Sequence, residues 1–187
     1  MNLPHRKSST GSKRGFSLAE LMAVVAVMGL IASVVAANFM ASLPRAQKNS
    51  ALHGVAAAIS AARSDSIARN GEFRIYYDID ANSYTVSSPY KSGGGVAQSD
   101  EERLIVKRAL MPDSISIERV TIDNLDYTEG QVFVAFTPSG RATGHTLLLM
   151  QAPMEAATTV EVLPLTGLVR FYDGDFVREP VTEEDFD

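Results

Sequence analysis

The sequence contains no cysteine, which removes disulfides, thiolate metal sites and cysteine nucleophiles together. A fold built from it must rest on its apolar core. Histidine is scarce too: His5, His53 and His145 are the three, and no two of them stand at metal-ligand spacing. The run Ser92-Gly93-Gly94-Gly95 lacks the lysine and the helix of a phosphate loop. Ser139, in Thr137-Pro138-Ser139-Gly140, lacks the small-x-Ser-x-Gly frame of a nucleophile elbow. Asp78, Asp80, Asp123 and Asp126 match no calcium-loop spacing and read as solvated turn residues. These absences argue against an enzyme and leave neither a metal nor a cofactor to expect.

Charge of one sign is missing at each end. The first fourteen residues carry His5, Arg6, Lys7, Lys13 and Arg14 without a single acid. From Asp173 to Asp187 the chain carries seven acids against Arg178 alone. Such a tail repels a polyanion and argues against nucleic acid as a partner, although Arg103, Lys107, Arg108 and Arg119 could still form a basic cluster. With 187 residues, 45% hydrophobic and 21% charged, the chain has room for one modest globular domain plus an anchor.

Charge is also missing from the middle of the first third. After Glu20 no charged residue occurs until Arg45, and between Leu21 and Ala37 the one polar side chain is Ser33. The stretch from Phe16 to Met40 makes about 37 Å of helix, against about 30 Å of bilayer core. A buried core helix of this length would show a polar face. A cleaved secretory signal would have a shorter run followed by a small-residue cleavage site. A transmembrane helix over about 16–40 fits better. The basic flank puts residues 1–14 in the cytoplasm and everything after about Leu43 outside. Glu20 is then the anomaly: an ionised carboxylate in hydrocarbon costs on the order of 2.5–3.5 kcal/mol. It is either an interfacial residue or one that awaits a cation from another chain.

The stretch "KRGFSLAE", Lys13 to Glu20, resembles the prepilin-type leader motif. The resemblance implies cleavage by prepilin peptidase between Gly15 and Phe16 and N-methylation of the new Phe16 amine. It also implies an assembly role for Glu20, facing the amine of a neighbouring subunit. A buried carboxylate is tolerable when an ammonium pairs with it.

Beyond the membrane the helix continues. Leu52, Val55, Ile59, Ala62 and Ser66 recur at three- and four-residue steps, with His53, Arg63, Asp65 and Arg69 off that stripe. Pro44 should bend or interrupt the helix just before it, and Asn70-Gly71 should stop it, since both residues tolerate the left-handed conformation. The period then changes to two. "EFRIYYDI" and "SYTVSS" read as a hairpin across Asp80-Ala81-Asn82. "RLIVKRAL", "SISIERVTI", "QVFVAF", "HTLLLMQ", "TVEVLP" and "LVRFY" follow as further strands. Seven or eight strands with no intervening helix predict two packed antiparallel sheets. "KSGGGVAQSDEE" reads as a mobile loop and "REPVTEEDFD" as a frayed tail.

"AARSDSIARNG", "FTPSGRATG" and "LPLTGLVRFYDG" resemble segments of the H-type minor pseudopilins, the GspH/FimT family. The resemblance implies an α+β, pilin-like fold: a long N-terminal transmembrane helix packed on a C-terminal antiparallel β-sandwich. Its expected divisions are a cleaved leader over 1–15, the helix over 16–70 and a periplasmic β-rich domain with an acidic tail over 71–187. It also implies a structural subunit of the type II secretion system, near the tip of the periplasmic pseudopilus. Expected partners are prepilin peptidase, other minor pseudopilins of the tip complex, the major pseudopilin and the inner membrane. The alternative is a minor pilin of a type IV pilus, used for fibre initiation, adhesion, motility or DNA uptake.

Overall fold

The structure, a computed structural model, describes residues 17–177, apart from the side chains of 34 and 37–42. The leader, Phe16 and the tail over 178–187 lie outside the described residues. The chain divides into two compact units, Met1–Leu43 and Pro44–Asp187, although one helix, α1, runs from Leu18 to Ala68.

In the first unit Ser17 caps the helix. Its hydroxyl accepts from Glu20 N at 3.2 Å, and its carbonyl accepts from Glu20 N at 3.1 Å and Leu21 N at 3.2 Å. Apolar side chains then point in every direction, and Leu18, Leu21, Met22, Val25, Met28, Leu30, Ile31 and Val35 are all exposed. Ser33 donates to Leu30 O at 2.7 Å, so its hydroxyl is satisfied by the helix itself.

In the second unit the helical stripe is buried. Val55, Ile59 and Ala62 are almost inaccessible, with Ala51 and Ala58 beside them and Leu52 packed at the margin. Of the bend or interruption expected at Pro44, the interruption does not occur: helix α1 continues through it. A proline forfeits its own N–H bond but leaves its carbonyl free to accept. Here Gln151 Nε2 donates to Pro44 O at 2.7 Å. At the far end Asn70 takes φ 49°. Gly71 N reaches Ser66 O at 3.1 Å and Asn70 N reaches Ile67 O at 3.4 Å, the paired bonds of a Schellman stop. Glycine is required at 71 because an added Cβ would lie 2.5 Å from Pro89 Cγ.

Nine strands follow among the described residues: β1 Phe73–Asp78, β2 Ser83–Ser87, β3 Ile105–Leu110, β4 Ile115–Ile122, β5 Leu125–Tyr127, β6 Gln131–Phe136, β7 His145–Gln151, β8 Ala156–Val162 and β9 Val169–Asp173. They form a four-stranded sheet in the order β3-β2-β1-β6 and a five-stranded sheet in the order β5-β4-β7-β8-β9. Every strand pairing is antiparallel. Alternation decides the faces: Phe73, Ile75 and Tyr77 of β1, Val134 and Phe136 of β6, and Leu147, Leu149, Val160 and Val162 of β7 and β8 share one core with the helical stripe. The fold is α+β as expected, an N-terminal helix followed by two antiparallel sheets.

Two strand expectations need correction. β5 was not foreseen, because three residues are too few to show a period. It closes on β4 through Asp123 and Asn124, both at positive φ, as a two-residue type I′ hairpin requires. β8 begins three residues before the expected Thr159. The segment 91–102, expected to be mobile, is tied down. Lys91 N reaches Gly95 O at 3.0 Å and Ala97 N reaches Pro89 O at 2.8 Å. Gln98 N reaches Glu102 Oε2 at 2.8 Å, and Asp100 accepts from Arg74 Nη1 at 2.6 Å.

Candidate functional site

Glu20 occupies the third helical position behind the Ser17 cap. Ser-x-x-Glu is the pattern of a capping box, in which the acid also complements the positive end of the helix. That signal is legible in Ser17-Leu18-Ala19-Glu20. Among the described residues Glu20 has no cationic partner, and Gly15 and Phe16 lie outside them. No helix of the described residues is both long and apolar enough to cross a membrane. The proposed span over 16–40 includes Phe16 and side chains outside that set.

In the second unit the three family-like segments, far apart in sequence, converge on one side chain. Arg63 Nε donates to Gly140 O at 3.1 Å. Gly167, at φ +60°, passes so close to Arg63 that an added Cβ would lie 2.6 Å from Arg63 Cδ. One turn along, Ser66 Oγ lies 2.7 Å from Arg63 O and 3.0 Å from Thr137 O. A single helical turn therefore holds the β6–β7 turn and the β8–β9 turn. This clamp could not be read from spacing, since its members stand about 75 and 100 residues apart. A second stitch joins the sheets: Asn82 Nδ2 donates to Ile115 O at 2.7 Å and Asn82 Oδ1 accepts from Ile117 N at 2.9 Å.

The groups weighed for chemistry are engaged in structure. His145 is buried, with Nδ1 donating to Thr143 O at 2.8 Å and Nε2 accepting from Tyr77 Oη at 3.1 Å. Burial pushes its pKa down to about 4, opposed by the Thr143 bond, so the ring is neutral at pH 7. Burial likewise pushes the Tyr77 hydroxyl up. Asp78 accepts from Ala81 N and Asp80 from Gly130 N. Asp126 accepts from Thr121 Oγ1 at 2.7 Å, and Ser139 bonds Thr137 in its own turn. A cavity of about 440 Å³ is lined by Arg119, Thr121, Asp126, His145, Glu161 and Phe176. Among the described residues no group of three His, Asp or Glu could hold a metal ion.

The four basic residues do not gather into one patch. Arg103 donates to Glu72 O, and Lys107 lies 5.6 Å from the centroid of the Tyr84 ring. Arg108 is on β3, while Arg119 is on β4 of the other sheet and paired with Asp175.

Comparison with curated protein sequences gives no significant match. Among solved structures, the chain is similar to the minor pseudopilin EpsH of the Vibrio cholerae type II secretion system. One EpsH structure has 15% identity, covers 67% of this chain and 94% of that one, and gives a TM-score of 0.48. A second has 14% identity, 65% and 93% coverage and a TM-score of 0.45. The type IV minor pilin FimU of Pseudomonas aeruginosa has 13% identity, 66% and 91% coverage and a TM-score of 0.45. The prokaryotic N-terminal methylation motif matches residues 11–36. It implies processing by prepilin peptidase and assembly with other pilin-type subunits. The profile described as Type II transport protein GspH matches residues 51–166, more than half of the chain, a span that holds the helical stripe from Leu52 to Ser66 and the β6–β7 turn of the Arg63 clamp and ends one residue before Gly167. The chain belongs to the GspH family, and its role is that of a minor pseudopilin or pilin, a structural subunit and not an enzyme.

Proposed function

We propose that the chain is a minor pseudopilin of a type II secretion system, anchored in the inner membrane by the helix over 16–40 with its β-domain in the periplasm. Prepilin peptidase cuts between Gly15 and Phe16, and the Phe16 amine is methylated. The processed helix then leaves the bilayer for the core of a short filament, near its tip, beside other minor pseudopilins and the major one. The observation that carries this reading is the helix of the first unit. Its apolar side chains are exposed on every face, and a single carboxylate near its start has no cation beside it among the described residues. An apolar surface of that kind needs lipid or other helices around it. Glu20 then needs an ammonium, which the processed terminus of a neighbour supplies.

The match to a type II transport profile supports secretion over a type IV pilus. Deleting the gene separates the two. Loss of folded exoproteins from the culture supernatant, restored by the wild-type gene, is the expected result. Normal secretion combined with loss of surface pili would assign the chain to a type IV pilus instead.

A further inference from the structure

β3 is the edge of the four-stranded sheet, and among the described residues nothing pairs with its outer side. The other edges carry features that β3 lacks. β6 is capped where Thr143 N donates to Ala135 O and Ala142 bridges Phe136. β5 is only three residues long. At the two ends of β9 the helix makes contacts, Lys48 with Asp173 and Arg63 with Gly167 of the preceding turn. β3 has no such cover, and it is apolar. Ile105 and Val106 are each 49% exposed, Leu110 75% and Leu104 39%. Exposed edges of this kind are templates for another strand.

The ladder says which groups are free. Met111 N bonds Asn82 O, and Tyr84 pairs with Ala109 and Val86 with Lys107. By antiparallel alternation the N–H and C=O of Lys107 and Ala109 point at β2, and those of Arg108 and Leu110 point outward. The register slips so that Val106 stands unpaired. Charge limits the occupant. Lys107 and Arg108 sit at the strand centre, and Arg108 has no carboxylate partner among the described residues. Two copies pairing antiparallel through β3 would set these cations against each other, which is destabilising.

We propose that β3 takes up an extended segment from a different pilin-type subunit, one carrying apolar residues and at least one carboxylate opposite Arg108. This rests on the assembly role argued above and names the surface it uses. Backbone bonds to Arg108 and Leu110 give such a joint its affinity, and the side chains give it its choice of partner.

The test uses the full chain in cells that also produce the other pilin-type subunits of the same system, with p-benzoylphenylalanine in place of Val106. Illumination is expected to give an adduct whose peptide maps to an acidic extended segment of another pilin-type subunit. Arg108→Pro, which removes the outward N–H together with the guanidinium, and Arg108→Glu, which keeps the N–H and reverses the charge, should each cut that adduct at least tenfold. An adduct mapping to residues 178–187 of this chain, or to β3 of a second copy, overturns the proposal. So does an undiminished adduct in Arg108→Glu. A photoprobe at Leu21 separates the two readings. Adducts at Leu21 but none at Val106 refute the β3 joint and leave assembly standing, whereas none at either position refutes both.

Discussion

The two units of this chain use the same residue types to opposite ends. Between Leu18 and Val35 valine, leucine, isoleucine and alanine cover the whole helix circumference and are exposed. Between Ala51 and Ser66 similar residues fall on one stripe and are buried. The stripe is matched by apolar strand faces elsewhere in the chain. The first segment has no such counterpart among the described residues of its own unit. Apolar content alone therefore does not make a core. A core needs a second apolar surface in the same chain, and a segment without one suits the proposed setting in lipid or among other subunits.

Breaking the interface at its source should have the largest effect. Gly15→Val places a side chain where the peptidase must approach the backbone closely, and processing should stop. Intact-mass analysis should find only uncut precursor, and a mature chain beginning at methylated Phe16 would contradict the prediction. Glu20→Gln comes next. Glutamine also serves in a capping box, so the helix start is kept and only the charge is lost. Leaving the neighbour's ammonium buried and unpaired costs on the order of 3–5 kcal/mol, reduced if the amine sheds its proton. The variant should be inserted and cleaved but recovered with partner subunits at least tenfold less, in crosslinking beside a processing blot. Normal recovery would leave Glu20 with its capping role alone.

The contrast between the units can be sharpened by one substitution made in both. A fragment starting at Pro44 should fold as a soluble, metal-independent domain. In it Ile59→Ala should cost about 2–5 kcal/mol, as deletion of a fully buried aliphatic side chain does. Ile31→Ala in the full chain should leave the melting of the β-domain unchanged. Calorimetry of both variants decides, and equal losses would erase the distinction. The smallest effect expected is a pH dependence confined to the second unit. His145 has a folded pKa of about 4 against an unfolded value of about 6.5. Below 6.5 the unfolded chain binds a proton that the folded one refuses. Stability from this group is therefore complete above pH 6.5 and falls as pH drops toward 4. At pH 5 the deficit is about 2 kcal/mol. Melts at pH 7.5 and 5 should show it, and His145→Gln should flatten the slope; an unchanged slope would mean other groups set it.

Features that repeat over a few residues, or depend on neighbours in the chain, are legible before any folding is known. The uninterrupted apolar run, the stripe from Leu52 to Ser66, the Asn70-Gly71 stop and eight of the nine strands are of this kind. Periodicity and turn chemistry are local, and burial rewards them wherever the element packs. What the tertiary structure alone decided lies between segments distant in sequence. Arg63 meets Gly140 and Gly167, Asn82 joins β4, Arg74 ties down the loop through Asp100, and β3 is left at an edge. No spacing announces such pairings, because each partner is ordinary in its own surroundings. Arg63 looks like a solvated helix residue, and "RLIVKRAL" reads the same whether central or marginal. Strand order settles which, and it follows from how two sheets and a helix close around one core.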